Sequence, residues 1–196
     1  VHPSVPANSL KELIVLAKER PGQLIFTASG VGSNTHLATE LFKSMAGINI
    51  KIVQFKGSGP ALIDVLGGHS SGLICAGAVA MPHIKSGKLR VLGTSPKRFK
   101  DLPNVPTIAE AGLPGYELYS FRGILAPAGT PTSIIGKLTK ELNNVLALDE
   151  VQKAFLKEGV NVEYLGPTDF ATFLDRDIAK WVRIVKEANI KVEGAM

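Results

Sequence analysis

Cysteine is almost absent from this chain. Among 196 residues there is one, Cys75, which excludes an internal disulfide and any cysteine-rich metal site. It lies in the small, apolar run from Leu73 to Ala80, so it is expected to be an inert buried thiol. Aromatic residues are scarce at 6%, and the core must be built mainly from Ile, Leu, Val and Ala. No apolar run approaches the roughly 20 residues that span a bilayer. The opening residues Val1-His2-Pro3-Ser4-Val5-Pro6 have neither the basic nor the apolar segment of a signal peptide. There is no initiator Met, and the chain is expected to begin as a processed or truncated product. The four histidines form no His-x-x-x-His or Cys–His pair, so no metal and no cofactor is expected. Ser29 and Ser33 lack a Gly-x-Ser-x-Gly elbow, and no paired carboxylates stand out. Catalysis is not expected.

What is present is ordinary globular composition, 45% hydrophobic and 20% charged, with a net charge of +5. The lysines are scattered. Lys97-Arg98-Phe99-Lys100 is the only tight basic cluster and reads as a solvated turn, so no nucleic-acid partner is expected.

The chain is organised around Thr27–Leu41. Leu24-Ile25-Phe26 reads as a short buried strand, and Leu37, Ala38, Leu41, Phe42 and Met45 place an apolar stripe on a helix. Between them lies Ser29-Gly30-Val31-Gly32-Ser33, followed by Thr35 and His36. Glycine lets a backbone approach a ligand closely, and Ser, Asn or Thr caps the helix. Helix starts carry unpaired N–H groups and the positive end of the macrodipole, so the turn suits an anion. Gly30-Val31-Gly32 also begins a dinucleotide fingerprint, but Thr35 stands at the third glycine position. No acidic residue ends the next strand to take a ribose hydroxyl, and that reading is discounted.

Ser9 is expected to cap a helix from Leu10 to Arg20. A second strand is expected over Ile48–Phe55, a glycine turn at Lys56–Pro60, and a short helix over Ala61–Leu66. Leu73–Ala80 reads as a strand passing into a helix through His83 and Lys85, and Leu89–Gly93 as a further strand. This alternation predicts a mainly parallel, doubly wound α/β sheet with its site at the carboxyl ends of the strands. Beyond the proline-rich stretch Ser95–Gly115, Phe121–Ala126 and Val160–Leu165 read as strands. Helices are expected after a Thr130-Pro131 start, over Asp149–Glu158 and over Thr168–Ile190. Their inward faces would be Ile134, Ile135, Leu138, Leu142 and Val145 on the first, and Phe170, Phe173, Leu174, Ile178, Trp181 and Val185 on the last. Two strands cannot cover three such faces. That half reads as part of a domain.

The landmarks Ser29-Gly30-Val31-Gly32-Ser33 with His36-Leu37, Phe55-Lys56-Gly57-Ser58-Gly59-Pro60-Ala61 and Met81-Pro82-His83-Ile84-Lys85-Ser86-Gly87 fall in order along the chain. So do Leu102-Pro103-Asn104-Val105-Pro106-Thr107, Gly112-Leu113-Pro114-Gly115-Tyr116 and Leu125-Ala126-Pro127-Ala128-Gly129-Thr130-Pro131. Together they resemble the tripartite tricarboxylate transporter receptors, the Bug family. The resemblance implies a type II periplasmic-binding-protein fold, with residues 1–115 as a complete second α/β domain. Residues 116–196 would be the C-terminal portion of the first domain, whose N-terminal strands lie outside the chain. It implies a periplasmic receptor that passes a small carboxylate to membrane transporter subunits. The ligand contacts it implies are Ser29, Gly30, Val31, Gly32, Ser33, Thr35, His36, Phe55, Lys56 and Gly57. The family often places an acidic residue after the third strand, where this chain has Ala76-Gly77. Without its partner strands the chain is also expected to form a homodimer or a swapped oligomer. The alternative is the effector-sensing domain of a LysR-type transcription regulator, which shares the fold and binds small acids.

Overall fold

The computed structural model describes residues 1–157 and 162–190. Three parallel strands, β1 (Ile25–Ala28), β2 (Lys51–Gln54) and β3 (Gly72–Leu73), form a sheet in the order β2-β1-β3. The register pairs Ile25 with Lys51 and Thr27 with Val53 on one side of β1, and Thr27 with Leu73 on the other. The connecting helices are α2 (Asn34–Ala46), α3 (Ser58–Leu66) and α4 (Gly77–Lys85), preceded by α1 (Leu10–Glu19).

Alternation along β1 explains why helices lie on both faces. Side chains of successive strand residues point to opposite sides. Phe26 stacks on Phe42 of α2, with ring centroids 6.5 Å apart. Its neighbour Thr27 is fully buried on the other side and donates its hydroxyl to the Ala61 carbonyl of α3 at 3.1 Å. Two cores follow. The larger joins Leu10, Leu13, Phe26, Leu41, Phe42 and Ile50. The smaller joins Leu62, Val65 and Leu89, with Val79 and Ile84 of α4 against it.

The chain separates into two compact units. One is Val1–Tyr119 together with the chain from Trp181; the other is Ser120–Lys180. In the first, Tyr116 is buried and donates its hydroxyl to the Ala38 carbonyl at 3.0 Å. Burial pushes its phenol well above the usual range. Ile184, near the end of α7 (Pro167–Glu187), completes the larger core with Trp181 against it. The second unit holds α5 (Thr132–Leu146), α6 (Asp149–Lys157) and most of α7. Phe121 meets Phe170 and Phe173 edge-on, with centroids 5.8 and 5.0 Å apart. No helix among the described residues is long and apolar enough to cross a membrane.

Several expected elements are absent or shorter. Residues 48–50 precede β2 rather than joining it, although Ile48 and Ile50 are buried. Leu89–Gly93 forms no strand. Leu89 and Leu92 are buried, but Thr94 takes a single bridge to Thr107 instead, so this segment closes on its own loop. Phe121–Ala126 is not a strand either, and Leu125 is 78% exposed. A strand needs a neighbour to take its N–H and C=O groups, and the described residues offer it none. Val160 lies outside the described residues, and 162–165 form no ladder. Thr130 does not cap α5: its hydroxyl donates to the Pro127 carbonyl, and Pro131 stands at the cap position. The expected inward face of α5 is largely open, with Ile134, Leu138 and Val145 exposed. On α7, Ile178 is 57% exposed, and Ile184 is the one apolar residue that is fully enclosed.

Candidate functional site

The parallel sheet sends α2, α3 and α4 off the same edge, since each follows directly on one strand. The order β2-β1-β3 puts the change of face at β1, the place where open α/β sheets bind ligands.

The first turn leaves β1 at Ser29. Gly30 and Gly32 have φ of 134° and 74°, values that L side chains rarely adopt, so glycine is required for this path. Ser33 is the cap of α2, and its hydroxyl accepts the His36 N–H at 3.3 Å. The Thr35 hydroxyl is the node of the turn. It accepts the Ser29 N–H at 2.8 Å and lies 2.9 Å from the Ser29 hydroxyl and 3.0 Å from that of Ser33. His36 is buried, and its Nδ1 accepts the Gly32 N–H at 3.1 Å. That acceptance requires a neutral ring with its proton on Nε2. Desolvation lowers the His36 pKa; Glu40, 3.9 Å from Nε2, opposes it, and Lys43 adds to it. Lys43 itself pairs with Glu40 at 2.9 Å.

These side chains hold the loop, and the helix start supplies the donors. The His36 N–H is capped, and the Leu37 N–H donates to the Ser33 carbonyl. The amides of Asn34 and Thr35 are the first-turn donors that the helix itself cannot satisfy.

The second turn is bonded directly to the first. The Phe55 N–H donates to the Ala28 carbonyl at 2.8 Å, and the Gly57 N–H to the Ser29 carbonyl at 3.2 Å. Gly57, with φ of 113°, is the cap of α3 and offers no side chain to its amides. Lys56 and Val31 are exposed beside it, and Phe55 is half-buried. All ten residues expected from the sequence therefore sit on two turns tied together at one sheet edge.

The third corner is Ala76-Gly77, where the sequence showed only the lack of the family's acidic residue. After β3, Ala76 is the cap of α4 without a side-chain bond. The ring of Phe99 lies where a Cβ on Gly77 would come within 2.5 Å of it. Only the glycine at 77 hinted at this, and Phe99 was hidden in a basic cluster read as a solvated turn.

Neighbouring Cys75 is half-buried rather than fully enclosed, and burial pushes its thiol up to about 11. It is mostly protonated at neutral pH, in keeping with an unreactive thiol. One further spacing escaped the sequence reading: Gly68-His69-Ser70-Ser71-Gly72 does fit Gly-x-Ser-x-Gly. It runs into β3 instead of out of a strand into a helix, and Ser70 is buried at the opposite edge from the turns. The nucleophile context is therefore absent. Among the described residues no three of His, Cys, Asp and Glu gather as a metal site.

Residues 1–190 match the family described as the tripartite tricarboxylate transporter family receptor. The protein BugT of Bordetella pertussis is 35% identical over 193 residues, which is 98% of this chain and 59% of BugT. The structure of R. palustris Rpa4515 with adipate superposes with a TM-score of 0.83 at 37% identity, covering 97% of this chain and 64% of that one. The structure of MatC from Rhodopseudomonas palustris with bound malate gives 0.77 at 27% identity, with 94% and 64% covered. The chain thus spans about three fifths of the length of these relatives, and it shares the fold of the two solved structures. These matches lend no support to the regulator alternative, and the relatives are receptors, not enzymes. With the family's landmarks matched from residue 1 to residue 190, this chain belongs to the tripartite tricarboxylate transporter family of receptors.

Proposed function

We propose that this chain is the larger part of a periplasmic receptor that captures a small organic anion in a cleft between two α/β domains. It would then deliver that solute to a membrane transporter. Residues 1–115 would form one domain, and 116–196 the C-terminal portion of the other, with Trp181 and Ile184 returning to the first. The observation that carries the reading is the gathering of three helix starts, α2, α3 and α4, at one sheet edge.

Such an edge offers backbone donors and positive dipole ends without a formal counter-charge. The hydroxyls of Ser29, Ser33 and Thr35 fix the geometry in advance, so little ordering cost falls on binding. Relatives solved with adipate and with malate support a carboxylate as the solute class.

The test is a thermal-shift titration with adipate and malate. It compares protein expressed from the whole reading frame with the 196-residue chain. Saturation at about a hundredfold over the dissociation constant stabilises by roughly 2.7 kcal/mol. A shift in the longer protein that Gly32→Val abolishes, with cooperative melting kept, is the expected result. Unchanged affinity in Gly32→Val removes the first turn from the site. No shift with either acid in either protein removes the carboxylate reading.

A further inference from the structure

The three corners of the carboxyl edge differ in chemistry. The β1–α2 corner is lined by hydroxyls, and the β2–α3 corner carries Phe55, exposed Lys56, Gly57 and Ser58. The β3–α4 corner, Ile74-Cys75-Ala76-Gly77-Ala78-Val79-Ala80, carries no hydrogen-bonding side chain apart from the protonated thiol of Cys75.

An aromatic ring from a distant loop packs against that corner at Gly77. A Cβ at position 77 would meet Phe99 Cζ at 2.5 Å and Cε1 at 2.6 Å, so the ring occupies the space that glycine leaves. Gly77 has no left-handed φ that would require glycine there. The absence of a side chain is explained by the ring, not by the backbone. The loop carrying the ring is tied on both sides of it. Arg98 Nε donates to Glu110 Oε2 at 2.9 Å, and Lys85 at the end of α4 donates to Asp101 Oδ2 at 3.0 Å. The Leu102 N–H closes the loop on the Phe99 carbonyl at 3.0 Å.

The register pairs Thr27 with Leu73, so the chain leaving β3 toward Gly77 runs beside the chain leaving β1 toward the Ser29 turn. Neighbouring strands lie roughly 5 Å apart. The two corners therefore open on the same edge of the sheet, one strand apart.

Resting on the receptor reading above, we propose that Phe99 and Gly77 together set specificity. They present an apolar wall that selects a carboxylate whose body is unsubstituted hydrocarbon over the same acid bearing a hydroxyl. A hydroxyl buried against the ring loses its water and gains no partner, which is worth a factor of ten or more.

The experiment measures dissociation constants for the pairs succinate and malate, and benzoate and 4-hydroxybenzoate, by calorimetry on protein from the whole reading frame. Wild type is expected to favour the unhydroxylated member by about tenfold or more. Phe99→Asn is expected to bring that ratio within about twofold, while Phe99→Leu keeps most of it. Gly77→Ala is a second route to the same result. It suits a helix start but displaces the ring, and it should lower the ratio without touching Phe99. A wild-type protein that binds these acids with no preference overturns the proposal and leaves the receptor reading standing. So does an unchanged ratio in folded Phe99→Asn and Gly77→Ala. A wild type that binds none of the four overturns this proposal, and the receptor reading falls with it only if adipate also fails to bind.

Discussion

At the scale of single residues, His36 couples the turn to pH. Its Nδ1 is the acceptor for the Gly32 N–H, and its burial disfavours the charged ring. The folded pKa is therefore below 6.5, the model-peptide value. As pH falls, the unfolded chain takes up the proton first, so stability rises with pH across this window. His36 contributes fully above about 6.5, and its contribution is lost as pH falls through the lowered folded value. Protonation also converts Nδ1 from acceptor to donor and opposes the Gly32 amide. The midpoint of urea unfolding should drop between pH 7.5 and pH 5 in wild type and drop less in His36→Gln. Equal drops in both would place the pH sensitivity elsewhere.

At the scale of elements, two helix caps separate stability from function. Ser9 Oγ accepts the Glu12 N–H at 3.2 Å, and Glu12 in turn accepts the Asn8 N–H at 2.8 Å. Ser33 caps α2 in the same manner but lies in the proposed site. Ser9→Ala and Ser33→Ala should each cost about 1 kcal/mol by denaturant unfolding. Only Ser33→Ala should weaken carboxylate binding; an equal effect of both on affinity would remove the α2 cap from the site. The Ser9 cap was legible in the sequence, and the α2 cap was narrowed to Ser, Asn or Thr, because a cap is a local matter between one side chain and the next turn. The strand-turn-helix around Ser29 was legible for the same reason. What the sequence did not reveal depends on partners far along the chain. Leu89 and Leu92 are buried as a strand's side chains would be, yet Thr94 bonds to Thr107 and no ladder forms. Alternation alone cannot say whether a neighbour is there. Nor can it bring Phe99 to Gly77, since nothing at either position names the other.

At the scale of the whole molecule, the two units contrast in how well they enclose their apolar residues. The unit built on the sheet buries Phe42, Ile50, Val65 and Tyr116 almost completely. In Ser120–Lys180, by contrast, Ile124, Leu125, Ile134, Leu138 and Ile178 are exposed. Amphipathic helices with open apolar faces are costly in water, at about 25 cal/mol for each Å² left uncovered. The relatives are longer, and this chain spans 59% of BugT. The domain reading proposed above therefore assigns the open faces to strands contributed by the remainder of the protein. Ile178→Asp tests this on the two lengths side by side. In the 196-residue chain the substitution falls on an exposed position and should change stability by no more than about 0.5 kcal/mol. In protein from the whole reading frame it should bury an unpaired carboxylate, cost about 3 kcal/mol or more, and raise binding of an apolar dye. A second copy of the short chain could cover the same face. In that case the short chain alone should show a melting temperature that rises with concentration and an Ile178→Asp variant that loses this dependence. Equal, small effects at both lengths and every concentration would show that the face stays in water, and the division of this chain into one whole domain and part of another would fall.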